Sequence, residues 1–161
     1  MATALRLRPL LTNEIADNGG YTHEAIISAD DLTEATANTA MTFQCDIAAG
    51  DTILKVAWRV KTFLSDASDA AYNSNTMSVG DDAAVTTHIA AVQLNSNGTE
   101  VRQGFSNVAV EYTAADHFIV TVNSMAGKSL SNIDGGQVVI FFQLSRIATL
   151  EAALVGISVT K

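Results

Sequence analysis

Leu54-Lys55-Val56-Ala57-Trp58-Arg59-Val60-Lys61-Thr62 is the stretch on which the fold turns. Its even positions through Val60 are apolar, and its odd positions carry Lys55, Arg59 and Lys61. That two-residue period is the signature of a strand with one buried and one solvated face. The reading places Trp58 in the interior and gathers the three cations on the outside.

Working outward, Val108-Ala109-Val110-Glu111-Tyr112 and Phe118-Ile119-Val120-Thr121-Val122 repeat the alternation. Thr113-Ala114-Ala115-Asp116-His117 between them is short enough for a hairpin connection. Val108, Val110, Tyr112, Phe118, Val120 and Val122 are expected to face one way. Gln137-Val138-Val139-Ile140-Phe141-Phe142-Gln143-Leu144, opened by Gly135-Gly136, is apolar enough for a central strand, and Ala153-Leu154-Val155-Gly156-Ile157-Ser158-Val159-Thr160 reads as another. Met77-Ser78-Val79 is a further candidate. His88-Ile89-Ala90-Ala91-Val92-Gln93-Leu94 carries both a strand reading and a weak, alanine-rich helix reading. Asn95-Ser96-Asn97-Gly98-Thr99 contains Asn-Gly, a strong hairpin signal, and is expected to reverse the chain into Glu100-Val101-Arg102. About eight to ten short strands with turns at these intervals predict an all-β, antiparallel β-sandwich with jelly-roll-like connections. Pro9 lies outside this region and breaks none of the strands.

Residues 1–37 read differently. From Pro9 to Leu54 there is no Lys or Arg, while Glu14, Asp17, Glu24, Asp30, Asp31, Glu34, Asp46 and Asp51 accumulate. Apart from Ala25-Ile26-Ile27 no apolar period is sustained, so residues 1–37 are expected to form an extended N-terminal arm and residues 38–161 the sandwich. An alternative within the arm is a short capped helix over residues 28–35, with Ser28, Asp30, Asp31, Thr33 and Glu34 as acceptors.

The totals bound what such a domain can do. The 161 residues are 48% hydrophobic and 16% charged, enough for one compact core, with solubility supplied by uncharged polar residues. Nine Lys and Arg against 17 Asp and Glu leave a net charge of -8, which disfavours nucleic acid and anionic membranes as partners. The single Cys45 has no internal disulfide partner and reads as a buried structural thiol. The segment Leu5-Arg6-Leu7-Arg8-Pro9-Leu10-Leu11 lacks a signal-peptide core, and no run approaches the ~18 apolar residues of a membrane-spanning helix. The protein is expected to remain in the cytosol unless it leaves by lysis or inside a particle.

No catalytic centre, cofactor or metal is expected. His23, His88 and His117 have hydroxyl and acidic neighbours, but no Gly-x-Ser-x-Gly elbow accompanies them. One Cys and three dispersed His do not make a zinc site, and Asp66, Asp69, Asp81 and Asp82 do not match a calcium loop. Glycoside chemistry needs two carboxylates across a cleft, a placement that the sequence does not give Glu100 or Glu111. Asn97-Gly98-Thr99 matches a glycosylation sequon and reads as a turn. Two features are suited to holding a partner. Lys55, Arg59 and Lys61 either grip an acidic surface or pair with neighbouring acids. At the N-terminal tip, Leu5, Leu7, Leu10 and Leu11 with Arg6 and Arg8 suit insertion into a groove or strand addition to a sheet edge, or packing on the chain's own domain or a twin subunit.

Ala49-Gly50-Asp51-Thr52-Ile53-Leu54-Lys55-Val56, Met77-Ser78-Val79-Gly80-Asp81, Val110-Glu111-Tyr112-Thr113-Ala114-Ala115-Asp116 and Gly135-Gly136-Gln137-Val138-Val139-Ile140-Phe141-Phe142 follow one another in an order that resembles small tailed-phage virion proteins of the capsid decoration, or cement, type. The likeness runs from Gly50 to Ile147, and its motifs are structural rather than catalytic. It implies a jelly-roll-like sandwich that binds the major capsid protein on the outside of an assembled head, stabilises it, and reaches the virion from the host cytoplasm. The apolar excess of residues 137–144 and 153–160 predicts an oligomer, and the resemblance favours a homodimer over a trimer. A tail or head-fibre component, and a carbohydrate-binding sandwich, are the competing expectations.

Overall fold

The computed structural model describes residues 2–95 and 102–146. Along these the chain forms β1 (Thr3–Ala4), β2 (Leu7–Pro9), α1 (Thr12–Asp17), β3 (His23–Ser28), β4 (Met41–Ile47), β5 (Asp51–Ser65), β6 (Thr76–Gly80), β7 (Ile89–Gln93), β8 (Gln103–Glu111), β9 (Asp116–Asn123) and β10 (Gly135–Arg146). They build two five-stranded sheets, a front sheet ordered β2-β3-β10-β5-β8 and a back sheet ordered β1-β4-β9-β6-β7. With β1 and β2 set aside, the orders β3-β10-β5-β8 and β4-β9-β6-β7 put chain neighbours at equivalent places in opposite sheets. That is the double Greek key of a jelly roll, and every pairing among those eight strands is antiparallel.

The alternation in β5 sets the interior. Val56, Trp58 and Val60 lie opposite Phe142, Ile140 and Val138 of β10, and all six are buried. The two sheets meet where Phe118 of β9 stands edge-on to Phe142 of β10, ring centroids 4.2 Å apart. On the other side of β5, Trp58 pairs with Gly104. A Cβ at position 104 would come within 2.9 Å of the indole Nε1, so the missing side chain makes room for the ring.

Two features of the resemblance motifs have a steric basis. Gly80 sits under the 81–88 loop, where a Cβ would lie 2.0 Å from the Ala84 carbonyl oxygen. Gly136, with φ +114°, begins β10 in a conformation that L side chains rarely adopt.

The N-terminal reading requires correction. Residues 1–37 are not a free arm: β1 pairs in parallel with β4, β2 pairs with β3, and β3 lies between β2 and β10 inside the front sheet. Leu5, Leu10, Ala25, Ile27 and Leu32 are buried. The sequence signal of β3 is weak because its inward positions are His23, Ala25 and Ile27, too few and too mixed to make a two-residue apolar period. The alternative of a short helix survives only as a single 3-10 turn, Ala29–Asp31, capped by Asp31 Oδ2 accepting from the Ser28 amide at 2.8 Å and its hydroxyl at 2.7 Å.

The hairpin expected around residues 113–117 is also replaced. β8 lies in the front sheet and β9 in the back, so the link crosses between sheets. Sheets packed about 10 Å apart can be bridged by three or four extended residues, and a short loop therefore fits either connection. The expected facing nevertheless holds: Tyr112, Phe118, Val120 and Val122 are in the interior cluster, with Val108 and Val110 packed against it. Of residues 88–94, Ile89–Gln93 form β7 and none is helical. The Asn-Gly turn and the expected strand at 153–160 lie outside the described residues, but β7 and β8 on either side of the turn belong to different sheets.

Candidate interaction surface

The outward side chains of the front sheet form the candidate site. Its ladder aligns Arg8, Glu24, Phe141, Ala57 and Phe105 in one row across all five strands. The next row runs Ile26, Val139, Arg59 and Gln103, and on the other side Gln143, Lys55 and Asn107 line up. Tyr21, entering from the turn after α1, stacks at a tilt on Phe141 with centroids 5.9 Å apart. These groups enclose an open cleft of about 410 Å³ lined by Asn18, Tyr21, Arg59, Gln103, Phe105 and Phe141, among others. Phe105 is 69% exposed and Ile26 44%, a large apolar presentation for a sheet exterior.

Cations flank this aromatic centre. Lys55 is half-buried and Arg59 and Lys61 are exposed, all on β5. Arg102, just before β8, lays its guanidinium 4.2 Å over Phe63 and shares a second hollow with Arg59, Lys61 and Gln103. Among the described residues none of these four makes an ion pair, whereas Arg8 and Lys128 do. Of the two readings open for Lys55, Arg59 and Lys61, pairing with neighbouring acids is not seen among the described residues, where the acids on Lys and Arg side chains are those held by Arg8 and Lys128.

The N-terminal tip is divided by the fold. Leu5 and Leu10 are buried and Leu7 packs against the core, so none of the three is presented to a partner. Leu11 is 65% exposed and Arg6 is exposed. Arg8 is held by Glu14 at 3.0 Å and Glu24 at 2.8 Å, which raise its pKa while the Arg8 hydrogen bond lowers that of Glu14. A leucine-and-arginine tip that inserts into a groove is therefore not what this segment offers.

The three histidines and several of the acids make hydrogen bonds within the fold. His23 Nδ1 lies 2.9 Å from the Thr22 hydroxyl, which donates to the Phe142 carbonyl. Asp66 accepts from the Ser68 amide and hydroxyl, and Asp69 pairs with Lys128, both at one end of the sandwich. Asp81 and Asp82 lie at the other end of β6, so the four aspartates do not converge. Asp82 instead meets Asp116 and His117, with ligand atoms within 4.8 Å of one another. There Asp82 Oδ2 holds His117 Nδ1 at 2.8 Å, and Asp116 Oδ1 accepts the Asp82 and His117 amides. The 81–88 loop brings Asp82 to the start of β9, a proximity invisible in sequence. Cys45 packs against the core, and burial together with Asp46 pushes its thiol up to about 12, as a structural thiol requires.

His88 and Asp81, at the two ends of the 81–88 loop, are buried with Tyr112. The Tyr112 hydroxyl donates to Asp81 Oδ2 at 3.3 Å and accepts from His88 Nε2 at 3.0 Å, which makes His88 a neutral Nε2–H tautomer. Burial holds its pKa below the ordinary 6.5. The unfolded chain then binds a proton that the folded chain refuses, so this residue removes stability as pH falls below 6.5, until its folded-state pKa is passed. His117 has the opposite sign: its Asp82 hydrogen bond raises its pKa, a contribution fully present below 6.5 and lost as pH rises through the raised value. Melting temperatures between pH 7 and pH 5 should therefore fall less in His88→Phe than in the parent, and fall more in His117→Gln. Equal slopes in all three proteins would contradict the assignment.

No known protein family matches the chain, and no curated protein matches it. Among solved structures, a chain of the cyanophage Pam1 capsid asymmetric unit superposes with a TM-score of 0.50 at 19% identity, covering 74% of this chain and 81% of that one. A chain of the acid-stable capsid of Helicobacter pylori bacteriophage KHP30 gives a TM-score of 0.40 at 12% identity over 74% and 92% of the two chains. The periplasmic g-type lysozyme inhibitor PliG of Aeromonas hydrophila gives 0.37 at 12% identity over 89% and 97%. The Pam1 superposition shows that the two chains share a β-sandwich fold.

Proposed function

We propose that this chain is a structural protein of a phage head that sits on the outer surface of the assembled shell and holds it through the outer face of the front sheet. The observation that carries this reading is that face itself: exposed Phe105 and Ile26 beside Lys55, Arg59, Lys61 and Arg102, cations without ion partners among the described residues of a chain with net charge -8. Uncompensated positive charge on an acidic protein selects an acidic partner surface, with the aromatic centre supplying desolvated contact. The fold shared with the Pam1 capsid chain supports placing that partner in a phage head, the major capsid protein being the abundant candidate. A sandwich whose histidines and aspartates are engaged in its own loops suits a structural role.

The test uses heads assembled without this protein. Purified protein should co-sediment with them in a saturable, salt-sensitive manner. Arg59→Glu combined with Lys61→Glu should weaken binding about tenfold or more, roughly 1.4 kcal/mol, without changing the melting temperature, because both side chains are exposed. Unchanged affinity in the double variant would remove the front sheet as the attachment face.

One observation favours a second reading, that of a carbohydrate-binding sandwich. Phe105 with Tyr21, Asn18 and Gln103 around an open cleft resembles a stacking platform with amide hydrogen-bond partners. Saturable binding of an uncharged oligosaccharide, abolished by Phe105→Ala and insensitive to salt, would select it over the shell-binding reading.

A further inference from the structure

We infer that β8 is a self-pairing edge, through which two copies of this chain join their front sheets into one continuous sheet about a two-fold axis. β8 (Gln103–Glu111) is the outermost strand of the front sheet, and among the described residues nothing pairs with its far side. The direction of its free hydrogen-bonding groups follows from its partner. Val60 donates to the Arg102 carbonyl at 2.7 Å, and Arg59, Trp58, Ala57, Val56 and Lys55 then align with 103, 104, 105, 106 and 107 in unbroken register. Alternate residues of an antiparallel strand bond to opposite neighbours. Residues 102, 104 and 106 thus face β5, and Gln103, Phe105 and Asn107 turn their N–H and C=O groups to the open side.

A second copy is the occupant that fits because the run is self-complementary. Antiparallel pairing centred on Phe105 sets Phe105 against its symmetry mate and Gln103 against the mate of Asn107. Each is a hydrogen-bonded pair, giving about six ladder bonds in all. On the outer face the two phenylalanines become cross-strand neighbours and the two amide side chains meet. Residues 103–107 contain no charge and no proline, the usual protections of an exposed edge. The other edges have such protection: β1 spans two residues, β2 carries Arg8 and Pro9, and β7 is interrupted by a register shift against β6. In β8 the irregularity comes later, at Ala109 with φ 52°, and limits the flat segment to its first half.

This inference stands on the edge and not on the shell-binding reading, and the two fail separately. Sedimentation of the purified full chain at micromolar concentration should give twice the 16.9 kDa chain mass. Phe105→Lys, which sets like charges opposite each other at an exposed position, should shift the protein to the single-chain mass with an unchanged circular dichroism spectrum. Asn107→Pro removes only an outward N–H and should do the same. The Phe105 amide should be protected from hydrogen exchange in the parent and exchange freely in either variant. A parent that sediments as one chain, or a dimer that persists in both variants, would overturn the proposal.

Discussion

Trp58→Ala is expected to lower the unfolding free energy by ~3–5 kcal/mol, the usual cost of emptying a large aromatic site. The indole is 7% exposed, its strand neighbours on the inner face are Val56 and Val60, and its cross-strand partners are Ile140 and Gly104. Gly104 has no side chain with which to refill the space, and β5 is held by a strand on each side, so the cavity cannot collapse cheaply. Against a total stability of about 5–15 kcal/mol this approaches the limit for a folded protein. Chemical denaturation of parent and variant measures it directly. A soluble variant with an unchanged midpoint would show that the alternation in β5 does not place Trp58 in the core.

Gly136→Ala should be the second severe substitution, costing about 3 kcal/mol. Its φ of +114° is a glycine conformation, and a Cβ there would stand 2.5 Å from both the Leu64 Cα and the Phe63 carbonyl oxygen. Those are backbone atoms of the adjacent β5, so no rotamer change relieves the clash. Gly127→Ala supplies the control: it too has positive φ, +76°, but nothing lies within 4 Å of the added atom. Only the conformational cost of about 1–2 kcal/mol applies there. Equal effects at the two positions would mean that close packing of β10 on β5 is not what selects Gly136.

The strands that alternation reveals best are those with one side in the core for their whole length. β5 and β9 were legible because Trp58, Val60, Phe118, Val120 and Val122 recur every second residue. β3 is not legible in this way, because it is half as long as β10 and turns a histidine and an alanine inward. The sequence does not separate a hairpin from the sheet-crossing link of β8 to β9, because a short polar loop has the same composition in either role. The order β2-β3-β10-β5-β8 depends on long-range pairings, that of β3 with β10 joining residues over 100 apart, which no local period encodes.

The same division runs through the candidate site. Lys55, Arg59 and Lys61 were found because one strand carries all three on its odd positions. Their aromatic centre was not, because Tyr21, Phe105 and Phe141 come from three distant segments and become neighbours only through sheet pairing. Phe105 sits among Gln103, Gly104, Ser106 and Asn107, a context with no apolar companion to draw attention to it. The leucines of the N-terminal tip misled in the opposite sense. Leu5, Leu7 and Leu10 are apolar because they pack in the sandwich, not because they await a partner.

The central proposal, that this chain is a component of a phage head exterior, is tested most directly by quantitative mass spectrometry of gradient-purified particles from the source that carries its gene, with and without mild protease treatment. The account predicts that the protein is present at an abundance of the same order as the major shell protein. It also predicts loss of the protein when intact particles are exposed to protease. Its absence from virions, or its presence at the small fraction typical of a tail component, would contradict the account.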